Sequence, residues 1–183
     1  MDNILPSLKT GELVVVYAPH AARDESAVIA AQLALRGPVT VLDGGNRFQA
    51  YRISHLLRRQ TLEVHAAARR LYLRRAFTCY QMLALLEDTP ALPQPYLILD
   101  LLATFYDDHV PEREVRRLLG LCLDQLARLG QHAPVAVTLA PPLVEERAFL
   151  VEQVCARADQ LFTLDLPAPH FYQPSLFPLN TEH

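Results

Sequence analysis

Leu13-Val-Val-Val-Tyr17, running at once into Ala18-Pro-His-Ala-Ala-Arg-Asp-Glu-Ser26, is the stretch that decides the fold. Three valines in succession suit a strand buried on both faces, because β-branched side chains pack well on a pleated surface. The Ala- and Leu-rich sequence from Ser26 to Arg36, closed by Gly37, predicts a helix with glycine just past its end. Strand, short loop and helix open a parallel α/β unit, and the same alternation continues outward.

Val39-Thr-Val-Leu42 predicts the second strand, stopped by the turn residues Asp43-Gly-Gly-Asn46. Residues 50–69 predict two short helices broken near Gln60-Thr61. Leu71 to Phe77 predicts a strand, and Thr78-Cys-Tyr-Gln81 has the spacing of a capping box opening a helix through Leu86. Tyr96-Leu-Ile-Leu-Asp100 and Val135-Ala-Val-Thr-Leu139 predict buried strands. Between them, Val115, Leu118, Leu119, Cys122, Leu123, Leu126 and Leu129 recur at three- and four-residue spacing. They form one apolar stripe on a helix that begins at Pro111 and ends before Gly130. A helix around Glu145–Ala158 and a strand at Leu161–Leu164 complete the pattern. The expectation is an α/β fold, a mostly parallel sheet with helices on both faces, over residues 1–166. A Pro-rich tail follows over 167–183.

Composition narrows the class. Hydrophobic residues make up 51% and charged residues 20%, which favours a packed domain over a disordered chain. No basic leader and no membrane-length apolar run is visible, and Cys79, Cys122 and Cys155 stand isolated. These features lead to the expectation of a cytoplasmic protein with reduced thiols and no membrane partner. His20, His55, His65 and His109 share no ligand spacing, so no metal is expected. The net charge of −3 is uneven: Arg47, Arg52, Arg58, Arg59, Arg69, Arg70, Arg74 and Arg75 are opposed over that segment only by Glu63. Arg58, Arg59, Arg69, Arg70, Arg74 and Arg75 are candidates for weak, sequence-independent DNA contact. The alternative is that these arginines serve solvated helix faces and ion pairs.

The loop after the first strand is where a phosphate-binding loop would lie. Such a loop needs glycines for close approach, lysine for the β/γ charge and Ser/Thr for Mg²⁺. With Ala18 as its first position, Arg23 falls at the second glycine, Asp24 at the lysine and Glu25 at the Ser/Thr. Sliding by one to use Ser26 puts Pro19 and Asp24 at the glycines and Glu25 at the lysine. Either register sets an acid where a triphosphate needs a cation.

Over residues 5–165 the chain resembles the ATPase core of the RecA/RadA recombinases. Gly11-Glu-Leu-Val-Val-Val-Tyr-Ala-Pro19 resembles that family's strand into its P-loop, and Asp43-Gly-Gly-Asn-Arg-Phe48 its second strand and turn. Leu73-Arg-Arg-Ala-Phe77 with Gln81-Met-Leu resembles the third strand and helix, and Tyr96-Leu-Ile-Leu-Asp100 the Walker B strand. The resemblance implies a RecA-like P-loop NTPase core with a degenerate nucleotide site at Ala18, Pro19, Arg23, Asp24, Glu25, Ser26 and Asp100. It also implies that the family's water-activating acid falls on Gly45 and its polar sensor on Pro142. Asp100 is then either a remnant Mg²⁺ ligand or, as the residues alone suggest, a strand-end carboxylate capping backbone amides. The family's DNA-binding loops are acidic (Tyr106-Asp-Asp-His109) or short (Pro141–Ala148).

In the tail, Gln173-Pro-Ser-Leu-Phe177 resembles the bacterial sliding-clamp peptide. Gln173 would enter a polar notch, with Leu176 and Phe177 in an apolar pocket. The other reading folds Phe171, Tyr172, Leu176 and Phe177 back onto the domain as a strap. The combined expectation is a non-catalytic accessory, similar to ImuA-type proteins, in DNA repair, recombination or translesion replication. It would need no cofactor and would act on a sliding clamp, a RecA-like protein or a polymerase subunit. Its rivals are a divergent ATPase gripping phosphate through Arg23, and a structural subunit paired with an active RecA-like partner.

Overall fold

The computed structural model describes residues 8–164. Among these, β1 (Leu13–Tyr17), β2 (Val39–Asp43), β3 (Leu71–Arg75), β4 (Tyr96–Leu99), β5 (Val135–Leu139) and β6 (Gln160–Thr163) form one sheet. Its order is β3-β2-β4-β5-β1-β6, and every neighbouring pair is parallel. The four inner strands are the four apolar runs of the sequence, and β2, β4 and β5 are buried along their whole length. The edge strands β3 and β6 alternate, as half-covered strands do.

Alternate strand residues feed two cores. Val15, Leu42, Tyr96, Ile98, Val135, Val137 and Leu139 pack against α4 (Cys79–Glu87), α5 (Glu112–Gly130) and α6 (Ala148–Cys155). Val14, Val16, Val39, Val41, Leu97, Leu99 and Ala136 pack against α1 (Arg23–Arg36), α2 (Ala50–Arg58) and α3 (Val64–Ala68). The sheet is therefore covered on both faces. The whole predicted stripe of α5, from Val115 to Leu129, is buried. Each leucine in it contributes about 1.5–3 kcal/mol of burial. No helix among the described residues is long and apolar enough to cross a membrane.

Several local details differ from expectation. β3 ends at Arg75, because Thr78 caps α4 and the chain must turn before it. Thr78 Oγ1 accepts from Gln81 N at 3.2 Å, while Gln81 Oε1 accepts from Phe77 N at 2.8 Å. Gly37 is extended (φ 169) and not left-handed; its N–H closes α1 by donating to Leu33 O. The predicted helix at 145–158 is one 3₁₀ turn, Glu145–Arg147, followed by α6. Cys79, Cys122 and Cys155 are free, and burial pushes the Cys122 thiol up to about 12. The tail and its clamp-type motif lie outside the described residues.

Connections leave the carboxyl edge of the sheet in two directions. From β1 and β2 the chain passes through α1, α2 and α3 on one face. From β4 and β5 it passes through α5 and α6 on the other. Where neighbouring strands part in this way, a crevice opens beyond their carboxyl ends.

Candidate functional site

The crevice lies beyond the ends of β1, β4 and β5, with a volume of about 510 Å³. Pro19 and His20 form one wall, Arg47 and Asp100 the floor, and Tyr106, Ala140, Pro141, Pro142 and Leu143 the other wall. A second hollow of about 330 Å³ shares Pro19, His20 and Arg47 and adds Arg23, Asp24 and Glu25. Of the expected site residues, Arg23, Asp24 and Glu25 thus line the smaller hollow, Asp100 from the far end of β4 lines the larger, and Pro19 lines both. Ala18 and Ser26 are buried; Ser26 Oγ donates to Ala22 O at 2.8 Å and so serves helix α1.

Asp100 holds the centre. It sits just past β4 in a left-handed conformation (φ 50, ψ 58) and is 1% exposed. Arg47 Nε donates to its Oδ2 at 2.7 Å, and its own N–H donates to Thr138 Oγ1 at 2.9 Å. Its Oδ1 is buried without a hydrogen-bond partner; the Ala140 amide favours the ionised carboxylate without completing a bond. Burial raises the Asp100 pKa above the ordinary carboxylate value, against the opposing pull of Arg47. Asp100 is thus held chiefly by a guanidinium fifty-three residues away in sequence, with the Ala140 backbone amide as a further influence on its carboxylate.

Arg47 is positioned by the turn after β2. Asp43, 1% exposed, accepts from Arg47 N at 2.8 Å and Phe48 N at 3.1 Å, and Arg75 Nε stands 3.3 Å from its Oδ2. Gly44 and Gly45 let this turn press against Asp100. A Cβ on Gly45 would fall 2.4 Å from Asp100 Oδ2, and one on Gly44 would fall 2.8 Å from Asp100 O. The glycines look like an ordinary turn signal in sequence, but their use here is close approach.

The loop after β1 is strained. His20, Ala21 and Ala22 are all left-handed, with φ near 50. Such a conformation costs an L-residue on the order of 1–2 kcal/mol. Ala21 and Ala22 tolerate it with minimal side chains, both buried against the core. Strain of this kind concentrates at functional sites, which adds weight to this edge of the sheet. The loop delivers the chain into α1, whose first turn carries Asp24 and Glu25. Asp24 is already engaged, 3.0 Å from Arg52 Nη1 and accepting from Gln49 Nε2 at 3.1 Å.

Tyr106 closes the far wall by donating its hydroxyl to Ala140 O at 2.7 Å. Burial first, then the Asp100 charge, raise its pKa, so the phenol stays protonated. Next to it, Asp107, Asp108 and His109 bring three donor atoms within 4.8 Å of one another at an exposed surface. His109 Nδ1 lies 2.9 Å from Asp107, and this ion pair accounts for the cluster and raises the His109 pKa. No histidine spacing in the sequence signalled it.

Several arginines of the basic segment are engaged within the fold, each with a different partner. Arg70 Nη1 donates to Ala34 O and Leu35 O, capping the carboxyl end of α1. Arg75 neutralises Asp43, and Arg74 lies 3.9 Å from Asp88. Arg58, Arg59 and Arg69 are exposed. No protein-family model and no curated protein matches this chain.

Proposed function

We propose that this chain is a non-catalytic, cytoplasmic accessory of RecA-like architecture, working in DNA repair, recombination or translesion replication through protein contacts. The observation that carries the non-catalytic reading is Arg47 seated on Asp100. The carboxylate that a RecA-type core would offer to Mg²⁺ is neutralised by a side chain of the protein itself. With Asp24 and Glu25 in the first turn of α1, the nearby charges oppose a triphosphate. The RecA-like reading is also supported by the strand order. The loop after β1 and Asp100 after β4 flank the end of β5 at one edge of the sheet.

Calorimetric titration with ATP and Mg²⁺ tests this. The expected result is no saturable heat at concentrations up to about 1 mM, where binding would still be worth about 4 kcal/mol. A Mg²⁺-dependent heat lost in Arg23→Ala would overturn the reading in favour of a divergent ATPase, since Arg23 is exposed beside the crevice.

The partner reading includes a sliding clamp held by Gln173, Leu176 and Phe177, with any DNA contact weak and confined to exposed arginines such as Arg58, Arg59 and Arg69. Two pocket-filling side chains contribute roughly 3–6 kcal/mol before ordering costs. Replacing Leu176 and Phe177 together by Ala is expected to abolish clamp binding in a pull-down and leave the melting temperature unchanged. A lowered melting temperature with no clamp effect would instead identify the strap.

A further inference from the structure

Arg47 meets Asp100 with only part of its guanidinium. Nε donates to Asp100 Oδ2, while Nη1 and Nη2 form no hydrogen bond among the described residues and stay open to solvent. The side chain lines both hollows. So does His20, whose exposed ring has no hydrogen bond among the described residues and whose strained backbone (φ 52) fixes its place. The carboxylate on the floor is closed to an incoming group: Oδ2 is taken by Arg47 and Oδ1 is buried. Ala140 O is likewise taken, by Tyr106. The charged group left accessible in the larger crevice is therefore the outer half of Arg47. Around it the lining is mostly apolar, with Tyr106, Pro141 and Pro142 half-buried and Leu143 99% exposed.

We infer that the larger crevice binds a small organic acid, a single carboxylate carried on a compact apolar body. The carboxylate accepts from Nη1 and Nη2 of Arg47, and the body lies against Tyr106, Pro141, Pro142 and Leu143. A planar guanidinium matches a carboxylate with two parallel N–H···O bonds, and the Asp100 contact fixes its plane in advance. The volume of about 510 Å³ suits such a ligand. Small-molecule sites run to roughly 300–1,000 Å³ and are mostly apolar, with a few placed polar groups. The charge balance selects one carboxylate over a polyphosphate. Asp100 already offsets much of the Arg47 charge, and Asp24 and Glu25 stand in the adjoining hollow. This binding does not depend on any role in DNA repair.

The probe is naphthylacetate, titrated into the isotope-labelled full chain and followed by the backbone amide and arginine Nε–H resonances in NMR. Naphthylacetamide is its uncharged counterpart, and inorganic phosphate an anion without a body. Naphthylacetate is expected to give saturable shifts at His20, Arg47, Ala103 and Leu143. Its affinity should exceed that of the amide by about tenfold or more, the usual worth of a charge-assisted pair of hydrogen bonds. Phosphate should give no saturable shift there. Leu143→Asp adds a like charge and removes apolar cover at an exposed position, so it should weaken the acid by about tenfold with the melting temperature unchanged. Arg47→Lys keeps a cation for Asp100 but lacks the planar fork, and should lose most of the preference for acid over amide. If that variant does not fold, the ligand series and Leu143→Asp decide. Equal affinity for acid and amide overturns the inference, as does phosphate matching naphthylacetate. So do indifference to Leu143→Asp, a folded Arg47→Lys that keeps the preference, or no saturable shift at the crevice of the unmodified chain.

Discussion

Replacing Arg47 by Met is expected to cost this protein about 3 kcal/mol at neutral pH, among the largest losses available from a single polar position. Methionine keeps most of the arginine stem but leaves the Asp100 carboxylate, 1% exposed, without its counter-charge. Breaking a buried pair in this way costs about 3–5 kcal/mol, and the lower end applies because Arg47 is itself 29% exposed and water can follow it in. The loss carries a pH signature. Burial already holds the Asp100 pKa above its ordinary value with Arg47 in place, and without Arg47 only the Ala140 amide is left to oppose burial and the Asp43 charge, so the pKa rises further. The folded variant then binds a proton at a pH where the unfolded chain has released it. Its deficit is therefore full above the raised folded value and shrinks as pH falls toward the ordinary carboxylate range. Urea unfolding at several pH values measures this, and Asp100→Asn in the same background should recover much of the loss. A deficit independent of pH, or no recovery with Asn, would show that Arg47 acts by packing alone.

Gly45→Ala is the second large effect, expected to destabilise by about 3 kcal/mol. The added methyl would meet Asp100 Oδ2 at 2.4 Å and Asp100 Cβ at 2.6 Å, and neither can yield without moving the end of β4 or releasing Arg47. Gly120→Ala provides the opposite case. It lies inside α5 with nothing within 4 Å of the new Cβ, so helix propensity alone acts, and stability should rise by about 0.5–1 kcal/mol. Thermal unfolding of the two variants side by side separates the contributions. A neutral Gly45→Ala would mean that the turn after β2 does not pack against Asp100 as described.

The scaffold was legible because its signals are local. The valines of β1, the apolar runs of β4 and β5, the stripe of α5 and the Thr78–Gln81 cap each announce themselves within a few residues. The site was legible only in part. Asp24 and Glu25 could be placed at the start of α1, just after β1, by counting along one loop. The pairing of Arg47 with Asp100 could not, because it depends on β2 and β4 becoming neighbours, and strand order is not written in any short window. The same holds for Arg70, which counts toward a basic segment in sequence and caps α1 in space. The left-handed run at His20–Ala22 has no marker at all, since none of its residues is glycine or asparagine.

The guanidinium on Asp100 also constrains how this protein can change over generations. Any route to a metal–nucleotide site in the crevice must remove Arg47, and the acids at 24 and 25 must be replaced as well. Taken first, the Arg47 step removes a sizeable share of a stability that for a domain of this kind totals about 5–15 kcal/mol, and it returns no activity. Taken last, it follows changes that confer nothing while Arg47 still occupies the carboxylate. The intermediates are poor in either order, so the Arg47–Asp100 pair stands as a barrier between this fold and a metal–nucleotide site.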